Sequence, residues 1–294
     1  MPEYRRYSLT IDPAMVAGEI PFPVVVKPVR LSGSRGVIRA NDSGEFIQAW
    51  ERTRRIVLRE GESLERGELL VERYLPGLEI ALEGLLTKGA LQTLALFDKP
   101  DPLEGPYFEE TIYVTPSRLP EATQAAISGR TAEAAAALGL REGPIHAELR
   151  INDEGIWLIE MAGRSIGGLC STVLEFGAGF SLEEIILRQA VGMPLPSTER
   201  TGGAAGVMMI PISKGGILRE VLGQEKAAAV PGVTGVEITA PLNQPLTPLP
   251  EGASYLGFIF ARGDSPEATE RALRDAHARL SFRIEAAITL MAVG

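Results

Sequence analysis

Apolar and polar positions alternate most clearly between residues 145 and 162, where the pattern predicts a β-hairpin. The alternation has a period of two over residues 145–151 and again over residues 156–161, which is typical of two strands that each have one apolar face. The polar segment Asp153-Glu154-Gly155 predicts a three-residue loop with Gly155 in the left-handed conformation. A loop of this length places Glu148 directly opposite Glu160.

These two carboxylates lead to the first functional prediction. Directly opposed β carbons lie roughly 4.5–5.5 Å apart, so two glutamates there repel each other unless a cation bridges them or one carboxyl keeps its proton. Mg²⁺ typically takes one or two protein carboxylates and completes its shell with water and nucleotide phosphates. We therefore predict a divalent metal site at Glu148 and Glu160. The alternative is an exposed hairpin whose acidic residues face water.

The same patterns predict an α+β chain on both sides of the hairpin. Strands are predicted over residues 22–28, 68–74, 78–86, 90–97, 206–212, 233–239 and 255–261. Helices are predicted after the capping residues Asp42, Ser181 and Ser265, and over residues 120–139. A proline-containing link at residues 193–196 precedes a change of pattern. We place a domain boundary there: residues 1–197 form one region, with a small lid-like subdomain over 1–80 and a large one over 81–197, and residues 198–294 form a C-terminal α+β domain.

Charge and cysteine content exclude several classes of protein. The net charge is −9, and the widest basic cluster is Arg52, Arg54 and Arg55, which argues against nucleic acid or an anionic membrane as the main partner. No apolar run approaches the ~18–20 residues of a membrane span, and the N-terminus lacks a basic segment followed by an apolar one, so we expect a cytoplasmic protein. Cys170 is the single cysteine, which excludes an intrachain disulfide; we expect it to be buried as a small apolar residue.

A glycine-rich segment follows the first predicted strand. That strand ends in Lys27, and Ser32-Gly33-Ser34-Arg35-Gly36 comes next. Two glycines and two hydroxyls let backbone amides approach a phosphate closely. A flexible hairpin tip would have the same composition, and the segment lacks the lysine spacing of a Walker A loop.

Together these residues resemble the ATP-grasp enzymes. Lys27, the glycine-rich loop, the pattern Glu-x-x-Leu-x-Gly-x-Glu over residues 72–79, the paired acids and Arg164 occur in the order and spacing of that superfamily. The resemblance covers roughly residues 20–195, and more loosely residues 198–294. Within the superfamily, residues 96–117 and the C-terminal part look most like the L-amino-acid ligases that make dipeptides.

The resemblance implies an ATP-grasp core of antiparallel sheets with flanking helices, with ATP and Mg²⁺ as cofactors and Mn²⁺ as an alternative ion. It implies that Glu148 and Glu160 hold the metal and that Arg164 faces the transferring phosphoryl group or the acyl phosphate. Lys99 is a candidate for contact with the substrate, as are Glu109, Glu110 and Tyr113; the alternative for these is a solvated loop and strand edge. The residues that the resemblance assigns to the nucleotide are Lys27, Gly33, Ser34, Glu72, Arg73, Tyr74, Leu75 and Glu79.

The predicted function is an ATP-dependent carboxylate–amine ligase that acts through an acyl phosphate on amino acids or similar small substrates. Two alternatives remain: a truncated ATP-binding module or subunit without ligase activity, and a carboxylase of the biotin-dependent type. Two departures from the family bear on this choice. Only about twenty residues precede the Lys27 strand, so we expect a homo-oligomer or a separately encoded N-terminal partner, with strand residues 24–26 lacking a covering layer. Ala162 stands where many relatives have a metal-binding asparagine, which puts a second metal ion in doubt.

Overall fold

Four antiparallel strands near the N-terminus form a small sheet backed by a helix. The computed structural model describes residues 1–195 and 197–286. The sheet has the strand order β1-β4-β2-β3, and Phe46 and Trp50 of helix α2 pack against it with no exposed surface. The elements of this part are β1 (Tyr4–Ser8), α1 (Pro13–Ala17), β2 (Val24–Pro28), β3 (Ile38–Ala40), α2 (Ser43–Arg59) and β4 (Glu68–Arg73).

The predicted cap of α2 forms, but the predicted lack of cover over β2 was wrong. The Asp42 carboxylate accepts a hydrogen bond from the Glu45 amide at 2.9 Å, and Glu45 accepts one from the Asn41 amide at 2.8 Å. Val24 and Val26 are buried because α2 and its neighbours cover that face of the sheet, and Val25 on the opposite face is also buried, at 6% exposed. A strand of five residues alone therefore says nothing about which layer will cover it.

A second, larger sheet has eight antiparallel strands. Its strand order is β14-β16-β12-β7-β6-β5-β8-β9. Helices α3 and α6 pack against it, with Ile127 and Leu273 fully buried. The elements up to residue 195 are β5 (Leu78–Thr87), β6 (Ala90–Asp98), β7 (Ile112–Thr115), α3 (Glu121–Ala137), β8 (Gly143–Asn152), β9 (Gly155–Ala162), β10 (Glu175–Phe176), β11 (Phe180–Ser181) and α4 (Leu182–Ala190).

The C-terminal part contributes three strands to that same sheet. Strands β12 and β7 pair through Ala205–Thr115 and Met208–Ile112, so the sheet is continuous across residue 198, and the predicted division there stays a prediction. Pro196, at the end of the predicted link, lies outside the described residues, as do residues 287–294. The remaining elements are β12 (Ala204–Ile210), β13 (Gly216–Leu222), α5 (Gln224–Ala228), β14 (Val233–Ile238), β15 (Pro245–Leu246), β16 (Gly257–Gly263), α6 (Pro266–His277) and β17 (Ser281–Glu285).

The α+β fold class is confirmed, and so are the predicted strands and helices to within a few residues. The strands that were not predicted are each short or interrupted by charged residues: β1, β3, β7, β10, β11, β13, β15 and β17. Among the described residues, no helix is long and apolar enough to cross a membrane.

The loop of the metal hairpin is shorter than predicted. Asn152 pairs with Gly155, so the turn contains two residues, Asp153 and Glu154, and the three-residue loop was wrong. A bulge between Glu148 and Leu149 then shifts the register by one residue, and Glu148 still lies directly opposite Glu160. Two local differences cancel, which is why the predicted pairing of the acids holds.

Candidate active site

Two cavities meet between the small sheet and the large sheet. The narrower one, of about 140 Å³, extends from Lys27 to the segment 72–75. The wider one, of about 730 Å³, extends from Arg164 to Tyr255. Their common wall consists of Ser32, Gly33, Ser34, Glu110, Glu148 and Glu160. Most of the predicted site residues are thus brought to one continuous cleft.

Lys27 and the segment after β4 form one end of this cleft. The Lys27 ammonium lies 2.5 Å from a Glu72 carboxylate oxygen, and Glu72 itself is 7% exposed. Tyr74 stacks on Phe108 with ring centroids 6.4 Å apart. Arg73 also lines the narrower cavity, but its guanidinium pairs with Glu154 at the hairpin turn, 2.5 Å away. Its charge therefore fixes the hairpin against the small sheet.

Arg150 of β8 holds the same segment through hydrogen bonds, and it was not among the predicted site residues. Its guanidinium donates to the Leu75 carbonyl at 2.7 Å, to Glu79 at 2.8 Å and to the Leu103 carbonyl. The side chain is buried, and Arg150 lies directly opposite Glu79 on the adjacent strand. The only signal in the sequence is an arginine at an inward-facing strand position, two residues beyond Glu148. Alone it does not reveal these partners.

Lys99 lies at the centre of a buried acidic cluster formed by Glu79, Glu110 and Glu148. Its ammonium lies 2.8 Å from Glu79, 2.5 Å from Glu110 and 3.3 Å from Glu148. Burial by itself lowers the pKa of the Lys99 ammonium, but the three carboxylates together raise it well above its ordinary value. Lys99 is thus a buried cation directly behind Glu110 and Glu148, which line both cavities.

The carboxylates of this cluster differ in their affinity for protons. Burial, with the neighbouring charge of Glu148, raises the pKa of Glu110 to about 7. Burial also acts to raise the pKa of Glu148, but Lys99 and His146 lower it well below its usual range. Glu148 is therefore ionised at neutral pH, as a metal ligand must be.

His146 connects Glu148 to a second buried carboxylate. Its Nδ1 lies 2.5 Å from Glu83, and its Nε2 lies 3.3 Å from Glu148. Burial lowers the pKa of His146, but hydrogen bonds with Glu148 and Glu83 outweigh it and raise the pKa to about 9. Glu83 is 63 residues away from His146 along the chain, so the sequence carries no local signal for this pair.

The predicted metal pair is a suitable donor set for a divalent cation. Glu148 and Glu160 face each other across the ladder, and both line both cavities. Glu79, Glu110 and Glu148 also come within metal-binding distance of one another, but Lys99 already supplies that group with a cation. The opening toward the exposed Glu160 is therefore the better place for Mg²⁺, which keeps several waters.

Arg164 lines the wider cavity next to this pair. It is exposed, and its guanidinium donates to the Ser165 carbonyl at 2.7 Å. Tyr113 lines the same cavity, whereas Glu109 lines neither cavity. The pKa of Glu109 is raised by burial. Of the four candidate substrate contacts, Glu110 and Tyr113 line the cleft. Lys99 lies behind its wall, where it pairs with Glu110 and Glu148.

The glycine-rich loop is seated against the C-terminal part of the chain. Gly33 has a φ of +65°, and a β carbon there would lie 3.2 Å from that of Ala253. The Gly36 amide donates to the Pro250 carbonyl at 2.8 Å. Arg52 of α2 forms a bidentate ion pair with Glu251, at 2.7 and 2.8 Å. Contacts from residues 250–253 therefore hold this loop over the cleft.

Comparison with known proteins gives two family matches. Residues 20–173 match the ATP-grasp domain, and residues 208–285 match the L-amino acid ligase C-terminal domain 2. Over 97% of this chain, the fold matches an L-amino acid ligase from Bacillus licheniformis with a TM-score of 0.81 and 26% identity, covering 69% of that chain.

Two curated relatives match over a smaller share of their length. A carnosine synthase from Gallus gallus is 30% identical over 213 residues, and a D-alanine–D-alanine ligase from Aromatoleum aromaticum is 31% identical over 201 residues. These matches cover 69% and 59% of this chain. The chain spans only 23% of the first relative and 60% of the second.

Proposed function

Because the chain belongs to the ATP-grasp family, we propose that it is an ATP-dependent carboxylate–amine ligase that works through an acyl phosphate. The observation that supports this best is the common wall of the two cavities. Lys27 and the 72–75 segment lie on one side of Glu148 and Glu160, and Arg164 with the wider cavity lies on the other. A nucleotide on the first side would point its γ-phosphate at a substrate on the second.

The roles proposed for the nucleotide-binding residues are those that the resemblance to ATP-grasp enzymes implies. Lys27 and the amides of Gly33 and Ser34 are assigned to the phosphates, and Glu79 to the ribose hydroxyls. Adenine is assigned to the backbone of the segment from Glu72 to Leu75, including Arg73 and Tyr74. Arg150 keeps that segment in place through the Leu75 carbonyl. These assignments are proposals for binding experiments to test.

The chemistry requires positioning and charge stabilisation but no protein nucleophile. A substrate carboxylate oxygen bonds to the γ-phosphorus as the bond to ADP breaks. The amine nitrogen then bonds to the acyl carbon, phosphate leaves, and the nitrogen gives up its proton. Arg164 provides positive charge for the phosphoryl oxygens, and Lys99 balances the charge of the carboxylates in the common wall. ATP-grasp enzymes use ATP and Mg²⁺, and the ion, held by Glu148 and Glu160, would neutralise charge on those oxygens.

The lining of the wider cavity indicates the class of substrate. Five large apolar or aromatic side chains are part of its lining: Leu169, Met209, Leu246, Tyr255 and Phe258. The carboxylates of Glu110 and Glu148 lie at its inner end and suit an ammonium group. We therefore propose small amino acids with apolar side chains as substrates. Self-association, or assembly with a separately encoded N-terminal partner, stays a prediction.

A panel of amino-acid pairs tests the proposal. The purified chain is incubated with Mg-ATP and each pair, and both phosphate release and the condensed product are measured. We expect release that requires both amino acids and yields ADP. ATP binding without product for any pair would favour the nucleotide-binding module instead, and phosphate release that depends on bicarbonate would favour carboxylation.

Glu160→Gln tests the metal assignment within the same assay. The change keeps the side-chain volume but removes a charged ligand from the cleft, so turnover should fall to background while the fold is kept. Glu133→Gln is the matched control, because Glu133 is exposed on α3. If Mg-ATP affinity and turnover are both unchanged in Glu160→Gln, Glu160 is not part of the site.

A further inference from the structure

A buried histidine and a buried glutamate connect the proposed metal site to the turn after β9. His146 lies between two carboxylates, with Nδ1 at 2.5 Å from Glu83 and Nε2 at 3.3 Å from Glu148. The Glu83 side chain is 1% exposed and that of His146 is 6% exposed. Both ring nitrogens face acceptors, so the ring spans the space between β5 and the metal carboxylate.

The chain of hydrogen bonds continues beyond Glu83. Its second carboxylate oxygen accepts from the Ile166 amide at 3.0 Å. Ile166 is two residues beyond Arg164, in the turn that carries this arginine into the wider cavity. Glu148 and the Arg164 turn are thus joined through one buried connection, although they lie on different segments.

Packing alone does not explain a buried carboxylate at position 83. Isolating a carboxylate from water is unfavourable, and well-packed apolar residues of similar volume often give equal or better stability. Glu83 is on a strand whose neighbours Ala81, Leu82 and Leu85 are all buried and apolar. An apolar residue would suit this position on packing grounds alone.

We propose that Glu83 and His146 are positioning residues that hold the Glu148 carboxylate and the Arg164 turn in a fixed relation to each other. The proposal rests on the ligase function proposed above, in which both groups act on the same phosphoryl group. His146 and Lys99 both contact Oε1 of Glu148. The carboxylate is thereby held by one oxygen, and the proposal assigns the other, Oε2, to the metal.

The test uses His146→Gln and Glu83→Gln in the full chain. Mn²⁺ binding in the presence of ADP is measured by electron paramagnetic resonance, and kcat, the KM for ATP and the Mg²⁺ requirement are measured by phosphate release. Loss of a group that orients a metal ligand typically costs about 10–100-fold in metal affinity or activity. We expect weaker Mn²⁺ binding and lower kcat by about this factor, with the KM for ATP at saturating Mg²⁺ changed less than about twofold.

Two further variants serve as controls for this test. His277→Gln is the matched control, because it makes the same substitution in α6, away from the cleft; it should bind Mn²⁺ like the wild type. The double variant should lose no more than either single variant, because both residues act through one connection. If His146→Gln does not fold, Glu83→Gln carries the test, since its amide oxygen can still accept from Ile166.

The outcomes separate this inference from the function on which it rests. If the wild type does not bind Mn²⁺ with ADP, the proposed function fails. If the wild type binds and the folded variants keep its Mn²⁺ affinity and kcat, the positioning role is wrong. Variants that only melt at a lower temperature, with unchanged metal binding and kcat, would also overturn it, because that is the result of a structural role.

Discussion

Replacing Lys99 with methionine should leave three buried carboxylates without their cation. Lys99 is 3% exposed as a side chain and lies within 3.3 Å of Glu79, Glu110 and Glu148. Methionine fills a similar volume but has no charge. Removing one partner of a buried ion pair typically costs about 3–5 kcal/mol. We expect a loss in this range for Lys99→Met at pH 8.

The loss of stability in Lys99→Met should be larger at pH 8 than at pH 5.5. Burial and the charge of Glu148 already raise the pKa of Glu110 to about 7, against an ordinary value of 4.5. Without Lys99, which opposes this shift, the folded-state pKa rises further. A group whose pKa is raised on folding contributes stability to the fold. That contribution is fully present below the unfolded pKa and is lost as the pH rises through the folded pKa. The variant should therefore be closer to the wild type at pH 5.5 than at pH 8.

Urea denaturation at pH 5.5 and pH 8 measures both effects. With a slope of roughly 3 kcal/mol per molar urea, the expected loss at pH 8 shifts the midpoint by roughly 1–1.7 M. Lys226→Met is the control, because Lys226 is exposed on helix α5, and it should shift the midpoint little at either pH.

Two results would refute this reasoning. A shift at pH 8 no larger than that of the control would mean that Lys99 does not compensate the cluster. A large loss that is the same at both pH values would mean that the cost is one of packing and that the carboxylates do not take up protons in its place.

Three further predictions concern nucleotide binding, the glycine-rich loop and the cysteine. Glu79→Gln should weaken ATP binding about ten- to a hundredfold, since hydrogen bonds to a charged group contribute about 1.5–3 kcal/mol; equal losses for ATP and its dideoxy analogue in calorimetry would contradict the ribose assignment. Glu251→Gln removes a half-exposed ion pair with Arg52, which contributes about 1 kcal/mol at most. The KM for ATP should rise by up to about fivefold, and an unchanged KM would mean that this ion pair does not help to hold the glycine-rich loop over the cleft. Cys170 is 1% exposed and burial raises the pKa of its thiol, so the thiol should resist thiol reagents until urea unfolds the chain. Rapid labelling of the native protein would show that Cys170 is accessible in the folded chain.

Local patterns in the sequence were sufficient for much of the fold. Alternation with period two defines β8 and β9, and the capping residues Asp42, Ser181 and Ser265 mark helix starts. These signals depend on neighbours a few residues apart. The length of the hairpin turn was mispredicted, because Asp153-Glu154-Gly155 suits either a two- or a three-residue loop, and the bulge that compensates has no signal of its own.

The sequence by itself determined the order and spacing of Lys27, the glycine-rich loop, the 72–79 segment and the paired acids, and with them the ATP-grasp family. Only the tertiary structure decided how charge is arranged among them. Lys99 among its three carboxylates, His146 between Glu83 and Glu148, and Arg150 against the Leu75 carbonyl are contacts between separate strands and loops. Side-chain pairs of this kind leave no periodic trace in the sequence, because strand order and register, which bring distant residues together, are fixed by the packing of the whole sheet.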